Sequence, residues 1–158
     1  MLAAEHDRAV RLRSATAADA QCCAKLHAEL LEPAWDCASF ASLLAHPAAL
    51  GFMAQFTAPA QTVGFILGQV AADEAEVLTL AVLTEARRQG IATRLIEAMA
   101  ERARAAGARV MHLEVAAENT AALALYRKLQ FEQSGRRKGY YVTANAAPAD
   151  AVTFARAL

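Results

Sequence analysis

The chain has little cysteine, few aromatics, no excess of charge and no long apolar run, and these shortages remove whole classes of function. Its three cysteines are Cys22, Cys23 and Cys37. Adjacent Cys22 and Cys23 do not readily bridge each other, and no CxxC pair accompanies them. Neither a disulfide scaffold nor a structural zinc site is expected; small thiols in a reducing compartment are. His6, His27, His46 and His112 show no ligand-like spacing, so ordinary structural roles and no metal are expected for them. Lys+Arg and Asp+Glu number 16 each, which makes the formal charge zero. Such balance argues against a nucleic-acid binder that works by neutralising phosphates and against a polybasic membrane anchor. No stretch approaches the roughly 18 uncharged apolar residues of a membrane span. The opening MLAAEHDRAVRLR also lacks an apolar signal core. The expected location is therefore cytoplasmic, with neither nucleic acid nor membrane as partner.

What is present suits one compact domain over residues 1–158. Apolar residues make up 56% of the chain, enough to bury a core without cross-links. Val10-Arg11-Leu12-Arg13 alternates apolar and basic residues and predicts a first strand. Ser14-Ala15-Thr16 supplies a cap for a helix with Asp19 in its first turn, running to about Leu31 and stopping before Pro33. Asp36 caps a second short helix with Phe40, Leu43 and Leu44 as its apolar stripe. Strands are expected over Gly51–Phe56, Thr62–Ala71 and Glu76–Val82, the last two joined by a turn at Asp73-Glu74. Ile91 to about Ala106 is a helix whose apolar face holds Ile91, Leu95, Ile96 and Met99, with Gly107 as its stop. Val110–Val115 is a strand, Asn119 or Thr120 opens a helix, and Gln133–Tyr141 and Ala151–Ala157 close the chain as strands around the loop Thr143–Asp150. The order β α α β β β α β α β β mixes a meander with crossovers, which is an α+β chain.

The strongest local signal is Arg87-Arg88-Gln89-Gly90-Ile91-Ala92, between a strand and the long helix. A helix start leaves backbone N–H groups unpaired and carries partial positive charge. Gly90 and small Ala92 let a ligand approach the backbone, and the arginines add fork-shaped donors, so a pyrophosphate fits. Taken alone, the stretch reads equally as a solvated Arg-rich loop. It is neither a P-loop, since no GKS or GKT follows, nor the GxGxxG dinucleotide fingerprint.

This stretch resembles the (Q/R)xxGx(G/A) pyrophosphate motif of the GNAT acetyltransferases, with Arg87, Gly90 and Ala92 at its defined positions. The likeness extends through Asp73–Glu76, Leu80–Val82, Leu113–Val115, Asn119, Ala122–Tyr126, Phe131, Arg136-Arg137 and Tyr140-Tyr141, which look like the RimI group of ribosomal-protein-alanine N-acetyltransferases. Glu32–Trp35 to Phe40 is similar to that group's Pro-Trp segment. The resemblance implies a central, mixed, mostly antiparallel sheet of about seven strands with about four helices. It implies acetyl-CoA as co-substrate and a protein N-terminus, such as that of a ribosomal protein, as acceptor, handled by a monomer or weak dimer.

Carried over residue by residue, backbone groups of Leu80, Ala81 and Val82 would hold the pantetheine arm and thioester. Arg88, Gln89, Gly90, Ile91, Ala92 and Thr93 would form the pyrophosphate loop, with Arg87 beside it, and Asn119 would contact CoA. Glu114 would be the general base and Tyr126 the general acid. Trp35, Arg136, Tyr140 and Tyr141 would border the acceptor peptide. Read without the family, Glu114 is a surface strand carboxylate, Tyr126 a core aromatic, Asn119 a helix cap and the Arg136 run a solvated strand end. The chemistry suits the residue types: a neutral amine must attack, and an α-amine has a pKa near 7.7–8.0 against about 10.4 for lysine, so a modest base suffices.

Three positions depart from the group's pattern. Ala116-Ala117-Glu118-Asn119 replaces Arg-Ala-Ser-Asn, Leu129-Gln130-Phe131 replaces Leu-Gly-Phe, and Ala92 ends the Gly loop, which the motif tolerates. A GNAT enzyme for a small amine or a lysine side chain, and a non-catalytic acyl-CoA-binding domain, stay open as rival readings.

Overall fold

The computed structural model describes residues 8–142 and 144–158; His6 and the start of the expected 143–150 loop lie outside them. Seven strands form one sheet: β1 (Val10–Ser14), β2 (Ala49–Thr57), β3 (Ala60–Ala71), β4 (Glu74–Val82), β5 (Val110–Ala116), β6 (Glu132–Tyr141) and β7 (Ala149–Ala157). Four helices accompany them: α1 (Ala20–Leu30), α2 (Cys37–Ala45), α3 (Ile91–Ala105) and α4 (Thr120–Lys128). The spatial order is β1-β2-β3-β4-β5-β7-β6. Only the β4–β5 pair is parallel, so the sheet is mixed and mostly antiparallel, as expected.

Local chemistry explains the element ends. Asp19 closes a 3-10 turn before α1: its carboxylate accepts the Thr16 N–H at 2.8 Å and takes the Arg13 guanidinium through two bonds of 2.6 and 2.9 Å. The Arg13 hydrogen bond holds the Asp19 carboxyl below its usual range. Asp36 caps α2 by accepting the Ser39 N–H at 2.8 Å. The turn before β4 falls at Ala72-Asp73 and not at Asp73-Glu74, with Ala72 in the left-handed region at φ 53°. β2 begins at Ala49 and β7 at Ala149, both two residues earlier than the apolar pattern suggests. Pairing with Gln69 and Tyr141 extends them there, and sequence periodicity does not register such pairs.

Val63 to Gly68 of β3 is buried without alternation, as a strand covered on both faces must be. Phe40 of α2 meets Phe65 edge-on at 5.7 Å. α3 lies across β2, β3 and β4, burying Ile91, Leu95, Ile96, Met99, Ala100 and Ala103. Among the described residues no helix is long and apolar enough to cross a membrane.

α4 ends in a motif built on a residue that departs from the family pattern. Gln130 sits at φ 66°; its N–H donates to the Arg127 carbonyl, and the Phe131 N–H donates back to Tyr126 at 2.9 Å. That is the Schellman bond pattern, completed by the Tyr126–Phe131 ring contact at 5.9 Å. A side chain in the left-handed region costs roughly 1 kcal/mol that glycine avoids. Gln130→Gly is therefore expected to raise stability by about that amount, read as a higher urea midpoint at unchanged slope.

Candidate functional site

β4 and β5 pair at three positions, the last being Glu76 with His112, and then part. The cause lies in β4. Leu67 of β3 pairs with Thr79 and Gly68 with Val77, which leaves Leu78 as an extra, unpaired residue. A bulge of this kind bends its strand and increases its twist, and here it turns β4 away from β5. A cavity of about 450 Å³ opens in the gap, walled by Val77–Leu80 on one side and Leu113–Ala116 on the other.

Six of the seventeen residues expected at a site meet there. Leu80, Glu114, Asn119, Tyr126, Trp35 and Tyr141 all line this cavity. Strand alternation buries Met111, Leu113 and Val115 and leaves His112 and Glu114 on the other face. The Glu114 side chain is 25% exposed and its Oε1 lies 3.2 Å from Arg137 Nε. Glu114 also borders an outer cleft walled by Pro33, Trp35, Leu78, Tyr140, Tyr141 and Val142, so it stands at the junction of two spaces.

Tyr126 is 8% exposed, fixed between Phe131 at 5.9 Å and Phe154 at 6.2 Å. Burial, followed by the nearby Tyr141, pushes its pKa up to about 12, so the phenol keeps its proton. Burial raises Tyr141 too, followed by the charge of Glu114. Asn119 caps α4 by accepting the Ala122 N–H at 3.2 Å, and it borders the cavity at the same time.

The Arg87–Thr93 turn follows the C-terminal end of β4 and lies outside the cavity's own lining. Gly90 is the N-cap of α3 at φ 73°, with open space around the position of a Cβ, so the backbone angle and not crowding is what suits glycine here. Arg88 shares the left-handed region at φ 61°. Arg87 folds back and donates from Nε to the Val82 carbonyl at 3.2 Å, tying the turn to the strand end. Gln89 is exposed, Ile91 anchors α3 in the core, and Ala92 and Thr93 are half-buried.

Other expected positions lie outside this cavity's lining. Ala81 and Val82 are buried beyond the cavity's end. Arg136 is turned to Asp150, Nε to Oδ2 2.7 Å, and its neighbour Arg137 meets Glu114 instead. The cause is strand alternation on β6, which gives neighbouring arginines different partners. Sequence reasoning passed over Thr79 and gave His27 only an ordinary structural role; both line the cavity. The Thr79 hydroxyl is buried with no hydrogen-bond partner, and neither residue belongs to a motif that flags it. Among the described residues no group of three or more His, Cys, Asp or Glu is arranged to hold a metal ion.

A family model for the acetyltransferase (GNAT) family matches residues 17–131. The chain belongs to that family. It is 36% identical over 153 residues to the N-alpha-acetyltransferase RimI of Mycobacterium tuberculosis, covering 93% of this chain and 92% of the relative. It is also 36% identical over 89 residues to the ribosomal protein bS18-alanine N-acetyltransferase of Escherichia coli; that match spans 56% of this chain and 60% of the relative's length. The crystal structure of the ribosomal-protein-S18-alanine N-acetyltransferase from Escherichia coli superposes with a TM-score of 0.85 at 28% identity, covering 94% of each chain. The seven-stranded sheet and four helices are thus the GNAT fold.

An unpartnered buried hydroxyl costs roughly 1–3 kcal/mol. Thr79→Val, which keeps the shape and removes that hydroxyl, is expected to raise the urea midpoint of the free protein. It should weaken the binding of whatever occupies the cavity, measured by calorimetry.

Proposed function

We propose that this chain transfers an acetyl group from acetyl-CoA to the N-terminal α-amine of a protein, with a ribosomal protein that begins with alanine as the favoured acceptor. One observation carries the reading: Glu114 stands where the β4–β5 cavity meets the outer cleft, with the protonated Tyr126 on the cavity wall. A donor in one space and an acceptor in the other would meet beside a carboxylate. The names of the relatives support the choice of chemistry and of acceptor.

In this reading acetyl-CoA supplies an activated thioester. N–H groups of the Arg88–Thr93 turn at the α3 N-terminus hold its pyrophosphate, aided by Arg87, whose anchored Nε leaves the far end of its guanidinium free to reach out. Backbone groups of Leu80, Ala81 and Val82 along β4 hold the pantetheine arm and polarise the thioester carbonyl. Asn119 contacts the donor while capping α4. Glu114 takes the proton of the attacking amine, directly or through a water, and Arg137 fixes the carboxylate's orientation. Tyr126 donates towards the leaving sulfur. Trp35, Tyr140 and Tyr141 border the acceptor peptide, and holding both substrates supplies much of the rate. Arg136, committed to Asp150, acts on the acceptor only through the β6–β7 connection it braces.

The test is acetyl-CoA turnover with an alanine-starting peptide against an N-blocked peptide that carries a lysine. Turnover of the first is expected, and preference for the second would overturn the α-amine assignment. Binding of CoA without turnover of any amine would make the chain a non-catalytic binder. Glu114→Gln and Tyr126→Phe should each lower kcat by about 10²-fold or more, with the affinity for acetyl-CoA within a few-fold of the parent.

A further inference from the structure

One buried titratable group in the cavity has no part in the transfer chemistry. His27 lies in the last turn of α1 and is 3% exposed. Its Nδ1 accepts the backbone N–H of Trp35 at 3.2 Å. Its ring stacks on the Trp35 indole, with centroids 5.1 Å apart and planes 23° from parallel. It also meets Phe40 edge-on at 5.4 Å, and Phe40, fully buried, meets Phe65 of β3. An unbroken series of contacts therefore runs from the sheet through Phe40 and His27 to Trp35, which walls both the cavity and the outer cleft.

We propose that His27 is a positioning residue for the acceptor: its neutral ring fixes Trp35 as a wall of the acceptor cleft, and protonation releases that wall. What the cleft holds rests on the transfer reading above; the coupling of His27 to Trp35 rests on geometry alone. Only an unprotonated Nδ1 can accept the Trp35 N–H, so the neutral tautomer carries its proton on Nε2. A protonated ring would turn N–H against N–H and break the bond that orients the segment.

The titratable groups that share the cavity lining with His27 are Glu32, Glu114 on β5, Glu118 and Tyr126 at α4, and Tyr141 on β6; Cys23 precedes it by one turn on α1, and Asp36 follows Trp35 in the chain. Burial sets the His27 pKa below its ordinary 6.5. The unfolded chain takes up this proton at higher pH than the folded one. The stabilisation is thus complete above pH 6.5 and declines as pH falls from there through the lower folded value.

Trp35 is the single tryptophan of the chain, so its fluorescence reports on His27 without any turnover. An imidazolium against an indole quenches it. Emission should change with a midpoint below 6.5, and His27→Asn, which keeps an acceptor near the place of Nδ1 but does not titrate, should abolish the change. Over the same step the KM for the alanine-starting peptide should rise roughly three- to tenfold, with kcat changing less. His27→Ala should show the raised KM at neutral pH, and His27→Asn should recover most of it. Flat emission from about pH 7 down to the onset of acid unfolding, or an undiminished transition in His27→Asn, overturns the coupling whatever the turnover. A transition lost in His27→Asn but with no acetylation of any amine upholds the coupling and overturns the transfer reading.

Discussion

Beyond the Glu76–His112 pair the parallel strands β4 and β5 have no further partners in each other, and the geometry of the site depends on that parting. Backbone N–H and C=O groups inside a protein must find partners. Two strands that separate within a sheet leave a row of such groups facing a gap. An extended ligand with amides of its own, such as a pantetheine arm, can pair with that row as an added strand would. The Leu78 bulge produces the parting, and the unpartnered Thr79 hydroxyl stands immediately beside it.

The two groups assigned to proton transfer line the same cavity from β5 and α4 and are held by different forces. Glu114 is presented by strand alternation and oriented by a charged neighbour from β6, so it remains partly wet and adaptable. Tyr126 is presented by a short helix whose end is locked. The Schellman bonds at Gln130 and Phe131 fix the last turn, and Arg156 donates to the Leu129 carbonyl at 3.0 Å while pairing with Glu97 of α3 at 2.8 Å. The same guanidinium lies 5.0 Å over the Phe131 ring. Helix α3, strand β7 and helix α4 thus converge on one arginine whose side chain is 12% exposed.

Much of the fold was legible because the signals were local. Asp36 and Asn119 cap helices where their side chains can reach N–H groups two or three residues on, and Gly90 and Gly107 take the positive φ that ends or begins α3. The misses have a common origin. Ala72 rather than Glu74 turns the chain because β3 and β4 choose their own register, and that register depends on packing across the sheet. Arg136 and Arg137 are indistinguishable in the sequence. Only the pairing of β6 with β7 sends one to Asp150 and the other to Glu114. His27 reads as one more residue on the half-apolar face of a helix until α2 and the Trp35 segment fold over it.

The sequence by itself determined the order of the elements, the arginine- and glycine-bearing turn before α3 and the residue types available for acyl transfer. Each of these follows from side chains acting within a few residues of themselves. The tertiary structure alone decided where β4 leaves β5, which arginine meets Glu114 and what holds Trp35 in place. Those depend on strand register and on contacts between residues far apart in the chain, and neither periodicity nor motif spacing records such distances.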